Sequence, residues 1–154
     1  VHLKRNHLFS KYWVHWTPKR LAKFAPVDIL KTSCRQCGLH GADNCQMFFE
    51  CPSLKQYWQE ILGAAEEVVG YTWALDVESV IFGINPTLLK KDQKLLFYLA
   101  LIARHNICMS WLSPDPPTSL SWLHMVKNAA AKDKICFPGR RTEFRVTMIV
   151  WLDE

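Results

Sequence analysis

The clearest helical rhythm in the chain begins at Leu54. Leu54, Tyr57, Trp58, Ile61 and Leu62 recur at alternating steps of three and one, forming a single apolar stripe. The spacing predicts a helix opened by Pro52-Ser53 and running to Val69, with Gly70 as its stop. Asp76 is placed to cap a short helix through Val80 and Ile81 that Gly83 ends. Asn85-Pro86-Thr87 then introduces the longest helix, about residues 88–112, carrying Leu88, Leu89, Leu95, Leu96, Leu99, Ile102, Ala103 and Ile107 inward. Ser113-Pro-Asp-Pro-Pro is a rigid turn, because successive prolines fix φ and cannot continue a helix. Thr118 or Ser119 caps the next helix, with Leu120, Leu123, Val126 and Ala130 as its expected inner face and Pro138-Gly139 as its break. A last helix is expected over residues 141–152, turning Phe144, Met148 and Trp151 inward.

Upstream of these, Thr17-Pro18 has the form of a helix start, an N-cap hydroxyl followed by proline at the first helical position. The short helix it opens carries Leu21 and Phe24 and ends near Ala25-Pro26, with Lys19, Arg20 and Lys23 on its exposed face. Alternating strand patterns, internal repeats and low-complexity runs are absent. The fold class is therefore all-α, an irregular helical domain with a small Cys-rich loop towards the N-terminal side. Three regions follow: a basic and aromatic connecting segment (1–33), the loop (34–52) and a helical domain (53–154).

Composition supports a packed core, with 49% apolar residues and seven tryptophans in 154 residues. The chain starts at Val1 and lacks a cleavable signal pattern, so it reads as a piece of a longer product. Its longest apolar run, Leu95 to Ala103, is too short to span a bilayer. The net charge of +5 is unevenly placed. Residues 1–37 hold eight basic residues against Asp28 alone, a local +7, and the remainder is slightly acidic. Such asymmetry points to a polyanion partner on the N-terminal side. Residues 1–16 interleave cations with Phe9, Tyr12, Trp13 and Trp16. A single-stranded nucleic acid groove uses that mixture, since phosphates need cations and bases need π-faces. A surface that covers another part of a larger protein would use the same rings. Lys11, Lys19, Arg20, Lys23 and Arg35 are the candidate contacts to RNA or single-stranded DNA.

Four of the six cysteines lie between residues 34 and 51. Cys34-x-x-Cys37, followed by further soft or imidazole donors and Cys51, is how a short loop surrounds a tetrahedral Zn²⁺. The two-residue gap lets both thiolates reach one ion from a tight turn, and Gly38 follows where that turn favours positive φ. Cys34, Cys37 and Cys51 are the firm ligands. Cys45 is the natural fourth, and His40 the other candidate, cramped by lying three residues after Cys37. Clustered thiols fit a metal site in the nucleus or cytoplasm better than a secreted disulfide framework. There is no Gly-rich phosphate loop, nucleophile–base pair or set of paired aspartates, so this segment reads as non-catalytic.

The run Trp16-Thr-Pro-Lys-Arg-Leu-Ala-Lys23, the Cys34-x-x-Cys37 pair, Ala42-Asp43, and Met47-Phe-Phe-Glu-Cys51-Pro-x-Leu54-x-x-x-Trp58 resemble the C-terminal region of LINE-class non-LTR retrotransposon reverse transcriptase polyproteins. Ala103-Arg104, Trp111, Ser113-Pro-Asp-Pro-Pro-Thr118 and Trp122 are similar to the tail of that region. The resemblance implies a Cys-x-x-Cys, His, Cys zinc knuckle, the polymerase portion of a parent polyprotein as partner, and reverse transcriptase chemistry located in other segments. The family's histidine position is Gln46 here, so the resemblance also implies that Cys45 substitutes or that the site has decayed. The expected function is that of a nucleic-acid-binding accessory domain. The competing expectation is a structural module that braces the polymerase.

Overall fold

The computed structural model describes residues 17–24, 32–70, 72, 76–82 and 88–136. Its elements are helices: α1 (Pro18–Leu21), a π-helical turn (Gln46–Glu50), a 3₁₀ turn (Pro52–Leu54), α2 (Lys55–Val69), α3 (Val77–Phe82), α4 (Lys90–Met109) and α5 (Ser119–Cys136). Among the described residues there is no strand, only an isolated antiparallel bridge between Ser33 and His40. The all-α expectation holds, and no described helix is long and apolar enough to cross a membrane.

The punctuation follows local chemistry. Thr17 Oγ1 accepts the Arg20 N–H at 3.4 Å and opens α1. The chain then continues as single turns as far as Phe24. α2 ends where Gly70 takes φ 78°, a left-handed conformation that glycine adopts without a Cβ penalty. α4 begins at Lys90 and ends at Met109, inside the expected 88–112, as the chain passes into the turn before Ser113. Thr118 rather than Ser119 caps α5, its Oγ1 accepting the Ser121 N–H at 3.2 Å.

α4 is the centre. α3, α2 and α5 all pack on it, burying Leu95, Leu96, Leu99, Ile102, Ala103 and Ile107. Polar side chains pin the crossings. Trp122 Nε1 on α5 donates to Leu99 O (3.3 Å), and Tyr57 OH on α2 donates to Ala103 O (3.2 Å). Asn106 Nδ2 reaches Ser121 Oγ at 2.8 Å and Tyr57 OH at 3.3 Å, joining three helices at one buried amide. Arg104 is also buried, 1% exposed, so its position on α4 keeps it from any phosphate at the surface; burial lowers its guanidinium to about 10.

Two expectations are corrected. Leu89, expected inward on the central helix, is 61% exposed, because it sits in extended backbone just before α4. Leu120 lies 69% exposed on α5, while Trp122 and Val126 are buried. The large indole of Trp122 claims the contact with α4, and its position two residues along rotates Leu120 outward. Asn85-Pro86-Thr87, Pro138-Gly139 and the helix expected over 141–152 lie outside the described residues.

The Cys-rich loop shares this core. Met47, Phe48, Cys51 and Leu54 are buried with the helical side chains. Phe48 packs its ring 5.7 Å from Trp111, and Trp58 Nε1 donates to Phe48 O at 2.8 Å. Trp58 is thus core, as its stripe predicts.

Candidate metal centre

The loop is built from tight turns. Cys34 N–H donates to Leu39 O (2.9 Å) and Gly38 N–H to Cys34 O (2.8 Å). Gly38 takes φ 77°, as expected for the turn that closes the Cys-x-x-Cys pair. The second half enters a helical turn at Asn44, where Asp43 Oδ1 accepts the Gln46 N–H at 3.2 Å, and it widens into the π-helical turn over Gln46–Glu50. Short π segments of this kind often occur at functional sites. Cys51 breaks out at ψ 123° and Pro52 starts the next turn, with Ser53 Oγ donating back to Gln36 O at 3.2 Å.

This scaffold brings Cys34, Cys37 and Cys51 together, their sulfurs all within 4.8 Å of one another. Cys34 Sγ and Cys51 Sγ are 4.0 Å apart. Four ligands at 2.3 Å around a tetrahedral ion would set sulfurs ~3.8 Å apart, so the Cys34 and Cys51 thiols stand close to metal-binding separation. Cys34 and Cys51 are buried, and all three are free thiols. The hydrogen bond from Cys51 lowers the Cys34 thiol against the opposing effect of burial, helped by the backbone N–H groups of Cys37 and Gln36. The same bond, then burial, raises Cys51. Three thiols in this geometry can hold a thiophilic metal ion.

The fourth position differs from expectation. Cys45 is not part of the cluster. It immediately precedes the π-helical turn, where one helical step rotates it roughly 100° from Gln46. Its thiol is raised by burial and then by the carboxylates of Asp43 and Glu50. His40 is exposed and lies outside the cluster as well, its Nδ1 within 3.1 Å of Thr32 Oγ1. The side chain that reaches the thiols is that of Gln46, 6% exposed, with Nε2 donating to Cys37 Sγ at 3.0 Å.

The basic candidates fall beside this loop. Lys19 N–H donates to Ala42 O at 2.9 Å and Lys19 Nζ meets Asp43 Oδ2 at 3.3 Å, clamping α1 onto the loop. Burial works to raise the Asp43 carboxyl, but the Gln46 N–H and the Lys19 ammonium outweigh it and hold it below its usual value. Arg20, Lys23 and Arg35 are exposed. Lys11 lies outside the described residues. Sequence reasoning missed the double role of Asp43 as helix cap and Lys19 anchor; the signal was a capping residue three positions before Gln46. Comparisons with protein-family models, with curated proteins and with solved structures each returned no match.

Proposed function

We propose that this chain is a non-catalytic, nucleic-acid-binding accessory module that carries a zinc-knuckle-like loop and serves a polymerase in the same parent polypeptide. The observation that carries the reading is the clamp between α1 and the thiol loop. It holds α1, which bears Arg20, and the turn after it, which bears Lys23, against the segment that bears Arg35, so the cations stand on one small, ordered scaffold. The residues shared with LINE-class reverse transcriptase C-terminal regions, including Cys34-x-x-Cys37 and Met47-Phe-Phe-Glu-Cys51-Pro, support the same assignment. In this reading Zn²⁺ occupies the thiol cluster and fixes the loop, while the cations meet RNA or single-stranded DNA phosphates without reading sequence.

Changing Arg20, Lys23 and Arg35 together to Ala is expected to weaken binding to a single-stranded oligonucleotide and to flatten the slope of log affinity against log salt by about 2, since each phosphate contact on a single strand contributes roughly 0.7. Unchanged affinity and slope would refute the reading. The competing role, a module that braces the polymerase, is favoured by the exposure of Met109 (72%) and Leu112 (76%) near the end of α4. A zinc-loaded chain without affinity for RNA or single-stranded DNA would select it.

A further inference from the structure

Gln46 is an unusual side chain for its surroundings. It is 94% buried, its Oε1 is buried without a hydrogen-bond partner, and its Nε2 donates to the sulfur of Cys37. A buried carbonyl oxygen left unmatched is unfavourable, so this orientation of the amide is not the best its site can offer. We propose that the Gln46 carboxamide is the fourth ligand of the metal site: it turns end for end when an ion enters, withdraws its N–H from Cys37 Sγ, and presents Oε1 to the metal held by Cys34, Cys37 and Cys51. The inference rests on the reading that the three thiols bind a metal.

The geometry suits the exchange. An oxygen at about 2.1 Å and a sulfur at about 2.3 Å from one tetrahedral ion stand roughly 3.6 Å apart. The Gln46 amide head is already 3.0 Å from Cys37 Sγ, so rotation and a small retreat place its oxygen correctly. Rotation about the terminal bond of a glutamine side chain is soft, because that torsion is broad rather than confined to staggered wells. The backbone need not move: the Asp43 cap and the π-helical turn hold Gln46 facing the thiols. The other candidates are engaged elsewhere, Cys45 outside the cluster and His40 beside Thr32. Binding exchanges the N–H···S contact of Nε2 for an oxygen–metal bond at Oε1, and that bond compensates the contact Nε2 gives up. The thiols release their protons to solvent as the ion enters.

Zinc titration of the purified, reduced chain tests this with two readouts. In the intact chain, the side-chain amide resonances of Gln46 are expected to move with zinc occupancy, and X-ray absorption of the zinc-loaded protein to show three sulfurs and one lighter atom. In competition with a chromophoric chelator, Gln46→Ala is expected to weaken zinc by about tenfold, as loss of a supporting metal contact does. Gln46→Glu, which keeps the oxygen and adds charge, is expected to restore binding or improve it. Gln46 resonances that ignore zinc, or four sulfurs around the ion, would overturn the proposal while leaving the metal site standing. No zinc uptake by the unaltered chain would instead overturn the metal reading, and this proposal with it. The resonance and absorption measurements decide the matter even if Gln46→Ala does not fold.

Discussion

At the scale of single residues, the thiol loop separates neighbours that look alike in the sequence. Cys45 and Gln46 are adjacent, and chemistry alone favours the cysteine as a metal ligand. The helical turn that Asp43 caps reverses that preference by rotating the amide in and the thiol out. Two consequences are testable by zinc competition titration. Cys45→Ser is expected to leave zinc affinity unchanged, and Gln46→His to raise it by about tenfold or more, because a neutral imidazole nitrogen at about 2.0–2.1 Å is a better partner than an amide oxygen. A marked loss in Cys45→Ser would place its sulfur at the ion after all. Asp43 has its own signature. Asp43→Ala removes the cap on the Gln46 N–H and is expected to cost about 1 kcal/mol in urea unfolding. Its carboxyl is lowered in the folded chain, so the stabilisation it contributes is present above the unfolded value of about 3.9 and is lost as pH falls through the folded value. Stability differences between the parent chain and Asp43→Ala should therefore shrink in acid; a difference that grows there would contradict the assignment.

At the scale of elements, the helices whose apolar side chains repeat with strong period were legible from sequence, and those whose contacts depend on a partner were not. Leu54, Tyr57, Trp58 and Ile61 define α2 because one stripe meets one core, and all four are buried. α5 misleads because its apolar residues do not form one stripe: Leu120 and Trp122 lie two apart, and only packing against α4 decides between them. Thr17-Pro18, Gly38, Gly70 and Thr118 were readable because caps and positive-φ turns are local chemistry. The Gln46 contact was not, because it depends on the turn type between two cysteines distant in sequence. The element contacts also rank the substitutions. Leu120→Ser on α5 is expected to change stability by less than about 0.5 kcal/mol, whereas Trp122→Ala is expected to cost about 3–5 kcal/mol. Chemical denaturation of both variants checks this, and equal losses would mean that the face of α5 has been assigned wrongly.

At the scale of the whole molecule, the loop and the described helices share one core. Phe48 lies against Trp111, Trp58 is bonded to Phe48 O, and Cys51 is buried with the same side chains. A zinc knuckle that depended on its metal alone would melt separately from a helical domain. Here Cys34 and Cys51 lie in that core, so a metal ion held by them would stabilise everything the core supports. Zinc at a free concentration one hundred times its dissociation constant adds about 2.7 kcal/mol to the folded state, which for a domain of this size raises the melting temperature by roughly 5–10 °C. Far-ultraviolet circular dichroism reads the helices and tryptophan fluorescence reads the contacts around Trp58, Trp111 and Trp122. The two are expected to shift together when zinc is added and to fall back together when a chelator removes it. Two separate transitions, with fluorescence responding to zinc while the helical signal melts at its metal-free temperature, would show that the loop folds on its own and that the shared core does not couple the site to the body.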